Sequence, residues 1–335
     1  MMNKTRIEWC DFTYNPITGC RHACEYCYAR RQAQRFCGDI RLNKASDQLQ
    51  SIPDTGLWIL DEPFKNNQGK VIPMPVGFEP AFHRYRLPMP AQKKKPANIF
   101  VGSMADLFGE WVPDEWIREV LAACAAASWH NFLFLTKNPD RYYQLGDGDE
   151  AIIPEGGCSG WFGASAATEE QAQDAWENLN CTWMSLEPLH GDFSEEFFTY
   201  DDRYTQATRR RWEWIVIGAE TGSSKNKIKP KREWIQNIVD QCHSTETPLF
   251  MKDSLLEIWE DPLIQQFPEP LQMKEVIIPH CKECEHLKTT ERHYDPSKEV
   301  TAMNHFCTAG RLHKRIEGRY ARTSPPWCHK RGGGE

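Results

Sequence analysis

The stretch Gly19-Cys20-Arg21-His22-Ala23-Cys24-Glu25-Tyr26-Cys27-Tyr28-Ala29 decides how the rest of the chain is read. Its three thiols stand at CxxxCxxC spacing, with an aromatic, Tyr26, just before the last. One loop can present three thiolates this close to a single metal–sulfur centre. Three thiolates cannot fill the four corners of a [4Fe–4S] cube, so one iron would stay open to a small molecule. Two plainer readings compete, a half-zinc site and inert thiols. Zinc knuckles show a CxxC with a distant second pair. Packing does not call for three thiols within eight residues. The spacing favours the cluster.

Upstream, residues 5–14 alternate β-branched and aromatic residues with polar ones and read as a first strand, ended by Asn15-Pro16. Downstream, residues 25–36 read as a helix with Arg30, Arg31 and Arg35 on its outer face. Strand, reactive loop, helix is the βα unit of an α/β barrel. Residues 38–97 then lose all clean periodicity. Pro53, Pro63, Pro73, Pro75, Pro80, Pro88, Pro90 and Pro96 forbid long helices and central strands there. This is a long Pro-rich insertion, the kind of loop that serves as a lid or binding element. Phe82-His83-Arg84-Tyr85-Arg86 is its dense aromatic and basic cluster, with a solvated loop pinned by aromatics as the plain reading.

Regular alternation begins at Asn98. Apolar strands are expected at 98–102, 131–136, 160–165, 181–186, 212–217 and 248–252. Between them, Trp116, Ile117, Val120, Leu121 and Cys124 mark one helix, a Thr168/Gln171 capping box opens a second, and Trp234, Ile235, Ile238, Val239 and Cys242 mark a third. Short apolar strands alternating with amphipathic helices argue for an α/β fold with a parallel sheet covered on both faces. The count fits a partial (β/α) barrel of about six to seven parallel strands, and equally an open doubly wound sheet. Either holds its ligands at the C-terminal ends of the strands. That rule nominates Ser103, Asp106, Thr136, Lys137, Ser165, Glu187 and Glu220. Lys137 suits a carboxylate. Glu187 and Glu220 suit ribose hydroxyls, an amino group or the substrate. Each could also be a helix cap or a rim ion pair.

CxxxCxxC with an aromatic before its third Cys resembles the signature of the radical S-adenosylmethionine (SAM) superfamily. That resemblance implies a [4Fe–4S] cluster on Cys20, Cys24 and Cys27, SAM as cofactor, and a partial barrel rather than a doubly wound sheet. It implies Tyr26 against the adenine, and a flavodoxin- or ferredoxin-like electron donor as partner. Ile7-Glu-Trp, Asn15-Pro16, Gly19-Cys20, Cys27-Tyr-Ala29, Phe100–Phe108, Leu135-Thr-Lys137, Ser185–Leu189 and Gly218-Ala-Glu220 occur in order. Together they resemble a phage- and mobile-element-associated radical-SAM-like family, itself largely uncharacterised, over roughly residues 5–255. Gly163-Ala-Ser-Ala-Ala167 departs from it, with Ala167 where a carboxylate is expected. A more distant likeness to spore photoproduct lyases, which act on DNA, hints at a nucleic-acid base as substrate.

The chain has 335 residues, 40 % hydrophobic and 26 % charged, enough for one large domain with an appendage. A net charge of −7 argues against general polyanion binding but leaves room for a local basic groove. Thirteen Cys in so long a chain are no secreted disulfide scaffold, and free thiols point to the reducing cytoplasm. No signal peptide opens the chain and no run of 18 apolar residues would span a membrane. The barrel is expected over 1–255, and a Cys-rich, basic C-terminal module over 256–335. In the module Cys281, Cys284, Cys307 and Cys328 could close a tetrahedral zinc site or hold an auxiliary iron–sulfur cluster. His280, His286, His305 and His329 lie beside them. Residues 281–335 hold eleven Lys or Arg against seven Asp or Glu, a basic patch that could meet nucleic-acid phosphates or form a solvated tail. The alternative for the whole chain is a non-catalytic, zinc-stapled nucleic-acid-binding protein.

Overall fold

The short apolar runs become neighbours in one sheet. The computed structural model describes residues 2–145, 160–202, 204–205, 207–221, 227–272, 287–292, 302–307 and 314–316. The chain divides into two compact units, Met1–Gln272 and Met273–Glu335. The first unit opens with β1 (Met2–Lys4), β2 (Phe12–Tyr14), β3 (Ile17–Thr18), α1 (Tyr28–Phe36), α2 (Ile40–Lys44), β4 (Gln50–Ile52), β5 (Leu57–Leu60), β6 (Ala81–His83) and α3 (Met89–Gln92). It continues with β7 (Asn98–Val101), α4 (Asp114–Ala125), β8 (Asn131–Thr136), β9 (Gly160–Ser165), α5 (Glu169–Glu177), β10 (Trp183–Leu186), β11 (Thr199–Asp201) and β12 (Thr208–Arg210). It closes with β13 (Trp214–Ile217), α6 (Arg232–Ser244) and β14 (Leu249–Met251).

Eight strands form a mostly parallel sheet in the order β1-β2-β7-β8-β9-β10-β13-β14, only β1 being antiparallel to its neighbour. The order never reverses, so there is no switch point and the doubly wound alternative is set aside. Right-handed crossovers that always step the same way leave the helices on one face. Side-chain parity agrees. Ile99, Phe132, Phe134, Met184, Ile215, Ile217 and Leu249 pack with Ile117 and Leu121 of α4, Ala172 of α5 and Ile238 of α6. The intervening residues Phe100, Leu133, Trp183, Trp214, Val216 and Phe250 share a second core with Trp9 that contains no residue of α1–α6. Both faces are apolar, which is why the strands read as continuous runs.

Trp9 accounts for the misreading of the first strand. Residues 5–11 are not extended partners of the sheet. The backbone N–H of Cys10 donates to Ile7 O, and the turn drives Trp9, 2 % exposed, onto the helix-free face. Its ring centroid lies 4.8 Å from Phe100, 5.5 Å from Trp183 and 6.2 Å from Trp214. The aromatic alternation in 5–14 thus encodes a plug followed by a three-residue strand.

The insertion is no bare loop. Its short strands join β3 in a four-stranded sheet of order β3-β6-β5-β4. Strands of three or four residues are too short to show periodicity, which is why the sequence hides them. The chain past β14 stays with the first unit as far as Gln272, beyond the 255 boundary that composition suggests. Met251 N–H donates to Ile264 O, Trp214 Nε1 to Gln266 O, and Asn98 Nδ2 to Leu271 O, so 253–272 run from the β14 edge to the start of β7. Buried Arg211 donates to the carbonyls of Ala175, Trp176, Asn178 and Cys181, satisfying the end of α5.

Described by itself, the second unit shows, among its described residues, three antiparallel strands, β15 (Leu287–Arg292), β16 (Ala302–Cys307) and β17 (Lys314–Ile316). Of its proposed metal ligands, Cys307 ends β16, and Cys281, Cys284 and Cys328 lie outside the described residues. No helix among the described residues is long and apolar enough to cross a membrane.

Candidate active site at the mouth of the sheet

The Cys loop leaves β3 and lies beyond the C-terminal end of β2, where Gly19 bridges in parallel to Ala105 of the loop after β7. Nearly every residue of it is held. Gly19 N–H donates to Met104 O at 2.9 Å and Cys20 N–H to Phe78 O at 3.3 Å. Arg21 reaches Thr55 O at 2.5 Å. His22 Nε2 lies 2.7 Å from Asp106 Oδ2. Tyr26 takes a hydrogen bond from Lys137 Nζ at 3.0 Å, and Tyr28 OH donates to Ser103 O at 2.7 Å. Cys27 is the N-cap of α1, its sulfur accepting from Arg30 N–H at 3.4 Å. The expected helix over 25–36 therefore starts only after the last Cys, with turn conformation before it.

The insertion grips the other side of this loop. A Cβ on Gly19 would stand 2.2 Å from Glu79 O, and Gly19 holds a φ of +88°. Phe82-His83-Arg84-Tyr85-Arg86 is not the solvated loop of the plain reading. Phe82 and His83 are fully buried, and Arg86 donates to Asn15 O and Pro73 O. His83 Nε2 pairs with Thr18 Oγ1 at 2.8 Å, two residues before Cys20. Burial, then the charges of Arg86 and the N-terminus, hold the His83 ring well below the ordinary His range. The folded ring refuses a proton that the unfolded ring accepts below pH about 6.5. Stability is therefore expected to fall as pH drops through that value, by up to about 1.4 kcal/mol per pH unit from this group. Urea unfolding at pH 7.5 and 5.5 checks it, and His83→Gln should remove that part of the slope.

Asp106, 5 % exposed, ties the loop to the sheet. Its Oδ1 accepts from Thr136 Oγ1 and Phe108 N–H, and its Oδ2 from Lys137 N–H and the His22 ring. Sequence reading nominated Asp106 by position and gave it no role. Ser103, nominated as a ligand group, spends its hydroxyl on Asn15. Glu187 forms a short ion pair with Lys252 at the end of β14, a residue sequence reading passed over. Gly218 lies between them: a Cβ there would come within 3.1 Å of Lys252 and 3.3 Å of Glu187. Glu220, 8 % exposed, lies 3.6 Å from His190 Nε2. His190 also stands edge-on to Tyr26, 5.7 Å between centroids. Sequence reading missed His190. Its only signal was a position four residues past the end of β10. Ala167, the site of the missing carboxylate, is 1 % exposed, and its carbonyl accepts from His190 N–H. Its backbone thus anchors the His190 main chain.

The mouth therefore gathers Tyr26, Lys137, His190 and Glu220 by direct contacts. Burial pushes the Cys20 thiol up to about 12, and the nearby charges of Asp106, Cys24 and Cys27 add to the rise against a hydrogen bond from His22 N–H. Among the described residues no three His, Cys, Asp or Glu side chains could hold one metal ion. A single ion needs its thiolates about 2.3 Å from one centre. A cube instead gives each thiolate its own iron, and Cys20, Cys24 and Cys27 of this one loop are the side chains that would hold it. Metal charge would also reverse the cost of ionising Cys20.

Against this geometry, the chain belongs to the family described as "Protein of unknown function (DUF5131)", whose model matches residues 4–258. No curated protein sequence matches it. Two solved structures of spore photoproduct lyase mutants are similar, each with a TM-score of 0.36 and covering 88 % of this chain and 69 % of theirs. One, with bound AdoMet and dinucleoside spore photoproduct, is 10 % identical; the other, with the dinucleoside spore photoproduct, is 11 % identical.

Proposed function

We propose that this chain is a radical SAM enzyme built on a partial barrel, with a [4Fe–4S] cluster on Cys20, Cys24 and Cys27. The observation that carries it is the CxxxCxxC loop, with its Tyr26, held at the C-terminal ends of a parallel sheet whose strand order never reverses. A cluster held by Cys20, Cys24 and Cys27 would supply the electron for reductive cleavage of SAM and so start radical chemistry on a substrate. The residues do the rest. Lys137, on Tyr26 and the Ser165 carbonyl, presents a cation to a carboxylate. Tyr26 offers its ring to the adenine. Glu220, and Glu187 if it exchanges Lys252 for ligand, accept from ribose hydroxyls or an ammonium. Ser103 contributes through Asn15 and Tyr28 as a support.

For the substrate we take a nucleic-acid base, met through the basic C-terminal module, whose Cys281, Cys284, Cys307 and Cys328 hold zinc or an auxiliary cluster. A cytoplasmic setting fits the free thiols and the need for a reductant. The test is anaerobic reconstitution followed by reductive SAM cleavage, with Cys20, Cys24 and Cys27 changed together to Ala. The wild type is expected to be brown and to release 5′-deoxyadenosine, and the triple variant to do neither. A colourless wild type carrying two zinc ions would establish the non-catalytic binding protein instead.

A further inference from the structure

Phe78 of the insertion touches both ends of the Cys loop. Its carbonyl accepts from Cys20 N–H at 3.3 Å. Its ring faces the guanidinium of Arg30, with Cζ 5.0 Å from the ring centroid. Arg30 is the residue whose own N–H donates to Cys27 Sγ at 3.4 Å. One residue from outside the loop thus holds its first Cys directly and its last through Arg30. Arg30 is not on the outer face that the helical pattern gave it: it is half-buried, while Arg31 and Arg35 are exposed. Among the described residues no carboxylate pairs with Arg30, and the ring is its partner. The base under Phe78 is fixed in turn. Glu79, next in the chain, accepts from Trp58 Nε1 of β5 at 2.8 Å and from Lys44 Nζ of α2 at 2.5 Å, and its carbonyl abuts Gly19.

We propose that Phe78 is a positioning residue for the Cys loop: by engaging Cys20 and Arg30 at once, it keeps the Cys27 sulfur and its N–H donor in register with Cys20. The inference rests on the iron–sulfur reading, which supplies the centre that such a register serves. The ring face is the part that matters, because an aliphatic side chain packs against a guanidinium without attracting it. Hydrogen bonds to ligating sulfurs help set the potential of an iron–sulfur centre. An N–H donated to Cys27 favours the more negative, reduced form, so loosening it lowers the potential.

The experiment uses the full chain under anaerobic conditions. Phe78→Leu keeps an apolar side chain and removes the ring, and Arg30→Met keeps a long stem and removes the cation. On apoprotein, amide hydrogen exchange at Cys20 is expected to quicken about fivefold in each, although residue 30 lies beyond the far end of the loop. The double variant is expected to do no more than either single one. Phe78→Tyr and Arg30→Lys keep ring and cation and are expected to exchange like the wild type. After reconstitution with iron and sulfide, the midpoint potential of the centre is expected to fall in Phe78→Leu and Arg30→Met and to return in the two conservative variants. Unchanged exchange at Cys20 in Arg30→Met overturns the proposal, as does an unchanged potential in both loaded variants. Exchange within β8 that quickens as much as at Cys20 also overturns it, since the two side chains would then serve general stability. If the wild type takes up no iron, the iron–sulfur reading fails, and the exchange comparison still decides whether Phe78 couples the two ends of the loop.

Discussion

Gly19→Ala is expected to destabilise the first unit by about 3 kcal/mol or more and to cut iron uptake by about tenfold or more. The new methyl would stand 2.2 Å from Glu79 O, 2.4 Å from Glu79 C and 2.7 Å from Pro80 N. These are backbone atoms, so no side-chain rotation relieves the clash. The φ of +88° adds strain for any residue with a Cβ. Either the insertion or the Cys loop must move, and moving the loop pulls Cys20 from Phe78 O. Urea unfolding and iron analysis after reconstitution give the two readings. Wild-type stability together with wild-type iron content would show that the insertion does not fix the loop.

Asp106→Ala should cost about 3–5 kcal/mol, the range for breaking a buried charged network from one side. Four donors lose their acceptor at once: Thr136 Oγ1, Phe108 N–H, Lys137 N–H and the His22 ring. Asp106→Asn separates charge from shape. Its oxygen can still serve Thr136 and Phe108, but its NH₂ then faces the Lys137 N–H, donor against donor. The amide is expected to cost about 2 kcal/mol and to loosen residues 20–27, seen as faster proteolysis of that loop in native buffer. An Asn variant as stable and as resistant as wild type would remove Asp106 from the support of the Cys loop.

Much of this architecture was legible because its signals are local. Each later strand is a short apolar run closed by a polar residue, and all of them appear in the sheet. The Cys loop announces itself by spacing. What stayed hidden depends on contacts across long separations. Trp9 looked like a strand residue because nothing nearby shows that it will cap Trp183 and Trp214. The insertion's strands pair with one another and, through β6, with β3; their shortness and the proline content hid them. His190 carries no motif; it matters because Tyr26 and Glu220 arrive beside it from other strand ends. Lys252 could not be matched to Glu187 without knowing that β10, β13 and β14 are adjacent, with a glycine between their ends.

Trp9, Trp183 and Trp214 also settle traffic. They stopper the helix-free side of the sheet below the polar groups at the strand ends. With that side filled, a ligand of the proposed enzyme would enter and leave the groups around Tyr26 and Lys137 by the strand-end mouth, and a spent molecule would have to clear that threshold before the next arrived.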